Sequence, residues 1–313
     1  MKTISPFLKL LLIPLIFLSL EKPSEACLSC GCGSSSSSSD LGANGGASSI
    51  FAKDKLFLLQ LGSSYRDTNG SFNELGTWNK KPTDSNLSSL QNTFSLMYFP
   101  IKNLSLGLQI PVLANFMNKA SFGSFGSIAP TDLSFTYGIS LGDISTQVAY
   151  KVFEANDFAL IPWIKVDLPT GDSSGKPENI SGSGVFKLNG GLLGIKTYNK
   201  FEFIFNLGYQ QPLGIPVNAN SNFYPGNALM AQFNSNYQFN EKIKAGLGIN
   251  GFVGKLLYSN SSIPTSKIKL TASGQYDFTM YNGVGISTGY DPQFLGANTT
   301  TDINLNLVFY QFF

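Results

Sequence analysis

All three cysteines of the 313-residue chain fall in one short run, Cys27-Leu-Ser-Cys30-Gly-Cys32, whose spacing admits more than one chemistry. Cys27, Cys30 and Cys32 suit a soft metal ion such as Cu(I) or Zn(II), completed by a ligand from outside. An odd thiol count in an oxidising compartment equally suits one disulfide and a spare thiol, and Cys27 alone offers a lipidation point. A c-type haem is excluded, because Gly31 stands where that motif needs histidine. Histidine is absent from the whole sequence. Without imidazole, the ordinary Ser-His and Asp-His arrangements of hydrolases cannot be assembled. No catalytic residue and no further cofactor is therefore assigned, and the chain is not expected to be an enzyme.

Two other groups of residues carry possible function. In Pro169-Thr170-Gly171-Asp172, proline ends a strand, Gly171 permits a positive φ, and Asp172 accepts hydrogen bonds from the turned backbone. That reading is structural and is preferred to substrate binding. Trp163, Lys165, Asp167 and Phe252 fall on the polar or inward phase of alternating segments, where they would line a lumen. Lys255, Lys267 and Lys269 are expected to cluster at the mouth of one hairpin. There they either bias entry toward anions or face acidic loop residues.

The elements that must position these residues are strands. Apolar and polar residues alternate with period two from Lys55 to Phe313; in the last segment Ile303, Leu305, Leu307, Phe309 and Phe313 share one face, and Asp302, Asn304, Asn306 and Tyr310 the other. Twelve segments are predicted: Lys55–Arg66, Leu90–Phe99, Asn103–Leu113, Asp143–Phe153, Phe158–Leu168, Val185–Thr197, Phe201–Gln210, Ala228–Phe239, Lys242–Lys255, Lys267–Phe278, Asn282–Tyr290 and Thr301–Phe313. Thr131–Leu141 alternates in part and extends the fourth. Short and long connections take turns between them, as periplasmic turns and extracellular loops do. The fold class is thus all-β, an antiparallel transmembrane barrel with both termini periplasmic. Rows such as Leu104/Leu106/Leu108/Ile110/Val112 are free of charge, as a lipid-facing surface demands. Tyr65, Tyr98, Tyr150, Tyr209 and Tyr276 supply aromatic girdles, and Pro111 and Pro162 mark bulges or kinks. Inward positions are dominated by amides such as Gln109, Gln147, Asn206 and Asn234, interrupted by Met97, Phe99, Ile161, Trp163, Ile204 and Phe252. The Ala114–Gly142 connection, with Phe116, Met117, Phe122, Phe125 and Ile128, is unusually apolar. It packs on neighbouring loops, constricts the barrel or captures a hydrophobic solute.

Residues 1–26 have the build of a cleaved secretory signal: Lys2 and Lys9, the apolar run Leu8 to Leu20, then Ser24-Glu25-Ala26. Residues 27–54 hold the cysteines and a Ser/Gly-rich linker, and 55–313 the barrel. The implied place is the outer membrane of a Gram-negative-type bacterium. Implied partners are membrane lipid, the barrel assembly machinery acting through the last strand ending in Phe313, and a small solute. A net charge of +2 argues against a nucleic-acid partner.

Gly142-Asp143-Ile144-Ser145-Thr146-Gln147-Val148-Ala149-Tyr150-Lys151, Leu168-Pro169-Thr170-Gly171-Asp172 and Ser181-Gly182-Ser183-Gly184 resemble the outer-membrane transporters named after the meta pathway of phenol degradation. Those proteins are related in architecture to hydrophobic-compound channels. The resemblance covers about Gly142 to Ile195. It implies a roughly twelve-stranded barrel that passes small, often apolar molecules, and it brings no catalytic residues. Three functions follow as expectations: a passive channel for small, hydrophobic or aromatic solutes; a structural or surface-interaction barrel with a plugged lumen; or a metal- or redox-linked channel using the cysteine segment.

Overall fold

A period-two pattern can present an oily face and a polar face together only in extended backbone, and each alternating segment is a strand. The computed structural model describes residues 56–72, 78–80, 85–118, 120–122, 128–130, 135–155, 157–172, 182–214, 223–258, 261–279, 281–293, 296–297 and 300–313. The wall strands are β1 (Phe57–Phe72), β2 (Asn86–Ile101), β3 (Leu104–Asn118), β4 (two pieces, Thr136–Leu141 and Ser145–Tyr150), β5 (Phe158–Asp167) and β6 (Phe186–Tyr198). They continue as β7 (Phe201–Leu213), β8 (Phe223–Gln238), β9 (Ile243–Tyr258), β10 (Ser261–Thr279), β11 (Asn282–Tyr290) and β12 (Thr300–Phe312). Each pairs antiparallel with its successor, and β12 pairs with β1 from Leu58↔Phe312 to Ser71↔Thr300. The sheet is therefore a closed twelve-stranded barrel of the outer-membrane kind. Closure gives every wall strand two neighbours, the condition for placing β-structure in lipid.

Both described chain ends lie at the end of the barrel that carries the short turns, hereafter the turn end; the opposite one is the loop end. The turns use residues that tolerate a left-handed backbone, with φ of 60° at Asp157 and 53° at Asn199. Asn240 Oδ1 accepts from the backbone N–H groups of Lys242 and Ile243 and fixes the β8–β9 turn.

The outer wall is apolar and exposed along nearly every strand, including Leu61, Val148, Ile164, Phe205, Phe233, Leu247, Ile286 and Leu305. Aromatic pairs gather at the turn end. Phe57 stacks on Tyr98 at 5.0 Å, Phe201 meets Tyr237 edge-on at 4.9 Å, and Tyr276 meets Phe278 at 5.5 Å. Such a ring is what a headgroup boundary selects, since each side chain has an apolar body and many a polar tip.

The two prolines act on a strand other than their own. Pro111 of β3 and Pro162 of β5 stay in unbroken register with Thr93 and Leu192 on their far sides. The irregularity falls on β4, between them. Between Gln109↔Ser145 and Val112↔Leu141, two residues of β3 oppose Gly142, Asp143 and Ile144. Between Trp163↔Ala149 and Leu160↔Phe153, two residues of β5 oppose Tyr150, Lys151 and Val152. A proline offers no N–H toward its neighbour, so that neighbour can take an extra residue without stranding an acceptor it would otherwise have paired. The expected single segment Asp143–Phe153 is thus split, and Thr136–Leu141 supplies the upper half of the strand, as the partial alternation of Thr131–Leu141 indicated.

Several strands run further toward the loop end than expected. The stretch Leu256–Ser266 is not an irregular loop, because Leu256↔Ile263 and Tyr258↔Ser261 carry the β9–β10 ladder almost to its tip. In the apolar Ala114–Gly142 connection, β3 continues to Asn118, and Met117 is buried opposite Leu87. The side chains of Phe122, Phe125 and Ile128 lie outside the described residues, as do the signal segment, Cys27, Cys30, Cys32 and the linker.

Candidate functional site: a lumen with two unlike ends

Inward side chains sort along the barrel axis. At the turn end, Leu58, Met97, Phe99, Ile161, Ile195, Ile204 and Phe312 form a buried apolar cluster inside the barrel. Of the interruptions expected in a polar lining, Met97, Phe99, Ile161, Trp163 and Ile204 are therefore collected at one level, and Phe252 is not. Trp163 sits at the edge of this cluster and donates its indole N–H to Asn206 Oδ1 at 3.0 Å. Its ring occupies the room left by two glycines in the same cross-strand row, Trp163↔Gly191↔Gly208. A Cβ on Gly191 would lie 2.6 Å from Trp163 Cζ2, and one on Gly208 3.0 Å from it. The row goes on as Gly208↔Met230, Met230↔Phe252 and Phe252↔Lys267. An apolar strip thus leads from Trp163 around the wall to a lysine. Between the two ends the lining is mostly amide and hydroxyl, and Gln60, Ser95, Ser105, Gln109 and Gln147 with Met97 border a small recess of about 10 Å³.

The loop half holds two charge clusters on opposite sides. On β5 and β6, Lys165 lies 3.2 Å from Asp167, and Lys187 lies 3.5 Å from Asp143 and 3.7 Å from Asp167. Asn189 donates to Asp167 at 3.0 Å. Among the described residues two lysines here meet two carboxylates. On β1, β10 and β12, Lys267 lies 2.7 Å from Asp291 and 2.9 Å from Asp302, and Lys269 lies 3.9 Å from Asp291. Asp302 also accepts from Thr68 Oγ1 at 3.0 Å, and Asp291 accepts from the Asp302 backbone N–H at 2.8 Å.

The expected trio Lys255, Lys267 and Lys269 does not form. Inward residues of β9 are even-numbered here (Asn250, Phe252, Gly254), so Lys255 falls on the outward phase, exposed and paired with Pro264. Lys267 and Lys269 face acidic partners rather than open water. Their partner Asp291 was hidden from the sequence because it lies just past β11 in a connection; Lys187, by contrast, shares the parity of Asn189 and was legible as inward.

The resembling motifs converge on the upper bulge of β4. Thr170 Oγ1 donates to the Gly142 carbonyl at 2.9 Å and accepts from the Ile144 N–H at 2.8 Å, bridging the interrupted strand. Asp143 accepts from the N–H groups of Gly171 at 3.2 Å and Ser183 at 2.8 Å, and from Ser183 Oγ at 2.6 Å. Asp143, which was not singled out in the sequence, is thus an acceptor at the base of this turn, and the Asp172 carbonyl accepts from the Gly182 N–H at 3.0 Å. Positive φ occurs at Gly184, not Gly171. Gly182 is needed for close approach, since a Cβ there would lie 2.6 Å from both Asp143 Oδ1 and the Gly171 backbone. Pro169 follows the last paired residue of β5, as expected. These contacts make the motif a brace for the wall. Among the described residues no three carboxylates or thiols converge as a metal site would require.

No protein-family model matches the sequence, and no curated protein is detectably similar to it. Solved structures do match. An outer-membrane channel from Pseudomonas putida F1 superposes with a TM-score of 0.66 at 15% identity, covering 83% of this chain and 96% of that one. The P. putida toluene transporter TodX superposes with a TM-score of 0.43 at 10% identity, over 84% and 91% of the two chains. The first likeness establishes the outer-membrane barrel fold.

Proposed function

We propose that the protein is a passive channel of the outer membrane for small solutes with an apolar or aromatic part, with the turn end and both termini in the periplasm. It performs no catalysis on this reading. The observation that carries it is the inner wall, where the strip Trp163–Met230–Phe252 joins an apolar cluster to a charged mouth within a lipid-coated cylinder. An aromatic solute gains contact along the strip without meeting a fixed counter-charge until the loop end. The motif resemblance to transporters of the meta pathway supports the same solute class. Phe313, whose backbone exchanges hydrogen bonds with Phe57, would present the last strand to the assembly machinery. Swelling of liposomes containing the purified protein tests the reading. Phenyl glucoside should enter faster than methyl glucoside, and swelling no faster than in protein-free vesicles for either solute refutes it.

A further inference from the structure

Across β8 to β12 the inner wall carries two successive rows with no charged side chain. One runs Asn234↔Gly248↔Thr271↔Gly289↔Asn304, and the next toward the turn end runs Asn236↔Gly246↔Ser273↔Ser287↔Asn306. Glu202 and Arg66 stand beyond opposite corners of this patch. Its glycines decide how the asparagines lie. The place that a Cβ on Gly248 would take is filled by Asn234 Oδ1, with Thr271 Oγ1 2.6 Å from the same point. Asn236 Oδ1 fills that place at Gly246, with Ser273 Oγ 3.0 Å away, and Asn304 Oδ1 fills it at Gly289. These amides therefore lie flat along the wall instead of projecting into the lumen, and over Gly248 and Gly246 an amide meets a hydroxyl. Asn236 and Asn306 are held further by donating to Glu202 at 3.1 Å and to Ser287 Oγ at 3.0 Å.

Two further observations make this floor a place for a solute. Gly246, Gly248, Thr271 and Ser273 are half-buried, whereas Ile161, Lys165, Asn189, Ile204 and Asn206 on the inner face of β5–β7 are buried, so free space inside the barrel adjoins the floor. Asn234 is only 4% exposed, and its Nδ2 has no acceptor; Asn250, the next inward residue of β9 beyond Gly248, has a buried Oδ1 with no donor. Buried polar groups left unpaired are costly. A hydroxyl can accept from the first and donate to the second, and a sugar or polyol carries several on neighbouring carbons. An apolar surface would leave both groups unpaired, and an ion would lose hydration without meeting a counter-charge in either row.

We propose that the β8–β12 floor is a binding subsite for the uncharged, hydroxylated part of a solute, such as the sugar of a small glycoside. The subsite deepens the channel reading and rests on it only for the solute's route of entry. Saturation-transfer NMR titration of the full barrel, in a detergent without sugar headgroups, tests it. The ligands are methyl glucoside, gluconate and 2-methoxytetrahydropyran, which keeps the ring and lacks the hydroxyls. Methyl glucoside should bind at least about threefold tighter than either, the ratio expected from about one net hydrogen bond. Thr271→Val with Ser273→Ala removes two hydroxyls and adds no bulk; it should weaken methyl glucoside by at least the same factor, and Thr271→Ser should not. A smaller ratio between the ligands, or no binding at all, overturns the proposal, because the floor then holds water only. So does a smaller loss in the double variant, or an equal loss in Thr271→Ser. If the double variant fails to fold, the three-ligand comparison on the natural protein decides. Methyl glucoside binding without phenyl glucoside swelling would sink the channel and keep the subsite, and swelling without binding would do the opposite.

Discussion

Leu247 is, among the described residues, the most exposed large apolar side chain of the outer wall, at 71%, and replacing it with lysine separates lipid from water by magnitude. On β9 it lies two residues beyond Ala245, which pairs with Tyr237, and four beyond Ile243, which pairs with Tyr276. Those tyrosines belong to the turn-end aromatic ring. At about 3.4 Å per residue, Leu247 is ~7–14 Å further along the strand. With a tilt near 40° this is ~5–10 Å of depth, close to the middle of an apolar band about 25 Å tall. A lysine there should cost about 2–4 kcal/mol, reduced somewhat if its stem reaches toward the headgroups. On a water-exposed surface the same change would stay within about 0.5 kcal/mol. Reversible guanidinium unfolding from lipid vesicles, followed by tryptophan emission, measures the difference. A loss under ~0.5 kcal/mol, or any gain, would refute the placement of this wall in lipid.

Three further outcomes are expected. Gly191→Ala forces a methyl group against the Leu207 carbonyl and the Trp163 ring and should cost ~1–3 kcal/mol while shifting tryptophan emission, and an unchanged spectrum speaks against the cradle. Thr170→Val removes the bridge between Gly142 and Ile144; because Thr170 is exposed, water replaces part of it, and the loss should be only ~0.5–1.5 kcal/mol, with faster amide exchange at Ile144 and recovery in Thr170→Ser. Lys267→Gln removes the nearest cation from buried Asp291 and Asp302 and should cost about 3 kcal/mol in the same unfolding assay, whereas Lys255→Gln should change stability by less than ~0.5 kcal/mol.

The strand count was legible because one outward residue in every pair must be apolar, and rows such as Phe201/Phe203/Phe205/Leu207 repeat that rule without exception. The break in β4 was less so. Its only local sign is a change of parity, with Tyr137, Ile139 and Leu141 outward on odd numbers and Thr146, Val148 and Tyr150 on even ones. An extra residue flips every side chain beyond it, so reading Asp143–Phe153 as one ladder hid both bulges. Lys255 was misplaced for a related reason: nearness along a hairpin outweighed its phase. The ion pairs of Lys267 stayed hidden because they join β10 to Asp291 and Asp302 across strands whose register no single sequence states. The acceptor role of Asp143 was hidden because it arises at the bulge, which the single-ladder reading did not contain.

The seam between β1 and β12 has a kinetic consequence. Thr68 and Asp302, which hydrogen-bond across it, are separated by 234 positions, so joining them carries the loop-closure entropy of nearly the whole wall. Contacts that distant in order slow folding, and until they form, the first and last strands each present an unpaired row of donors and acceptors. Slippage or self-association of these two ribbons should therefore be the dominant error during refolding. Substitutions that weaken the Leu58↔Phe312 end of the seam should lower the yield of folded protein more than equal losses elsewhere on the cylinder.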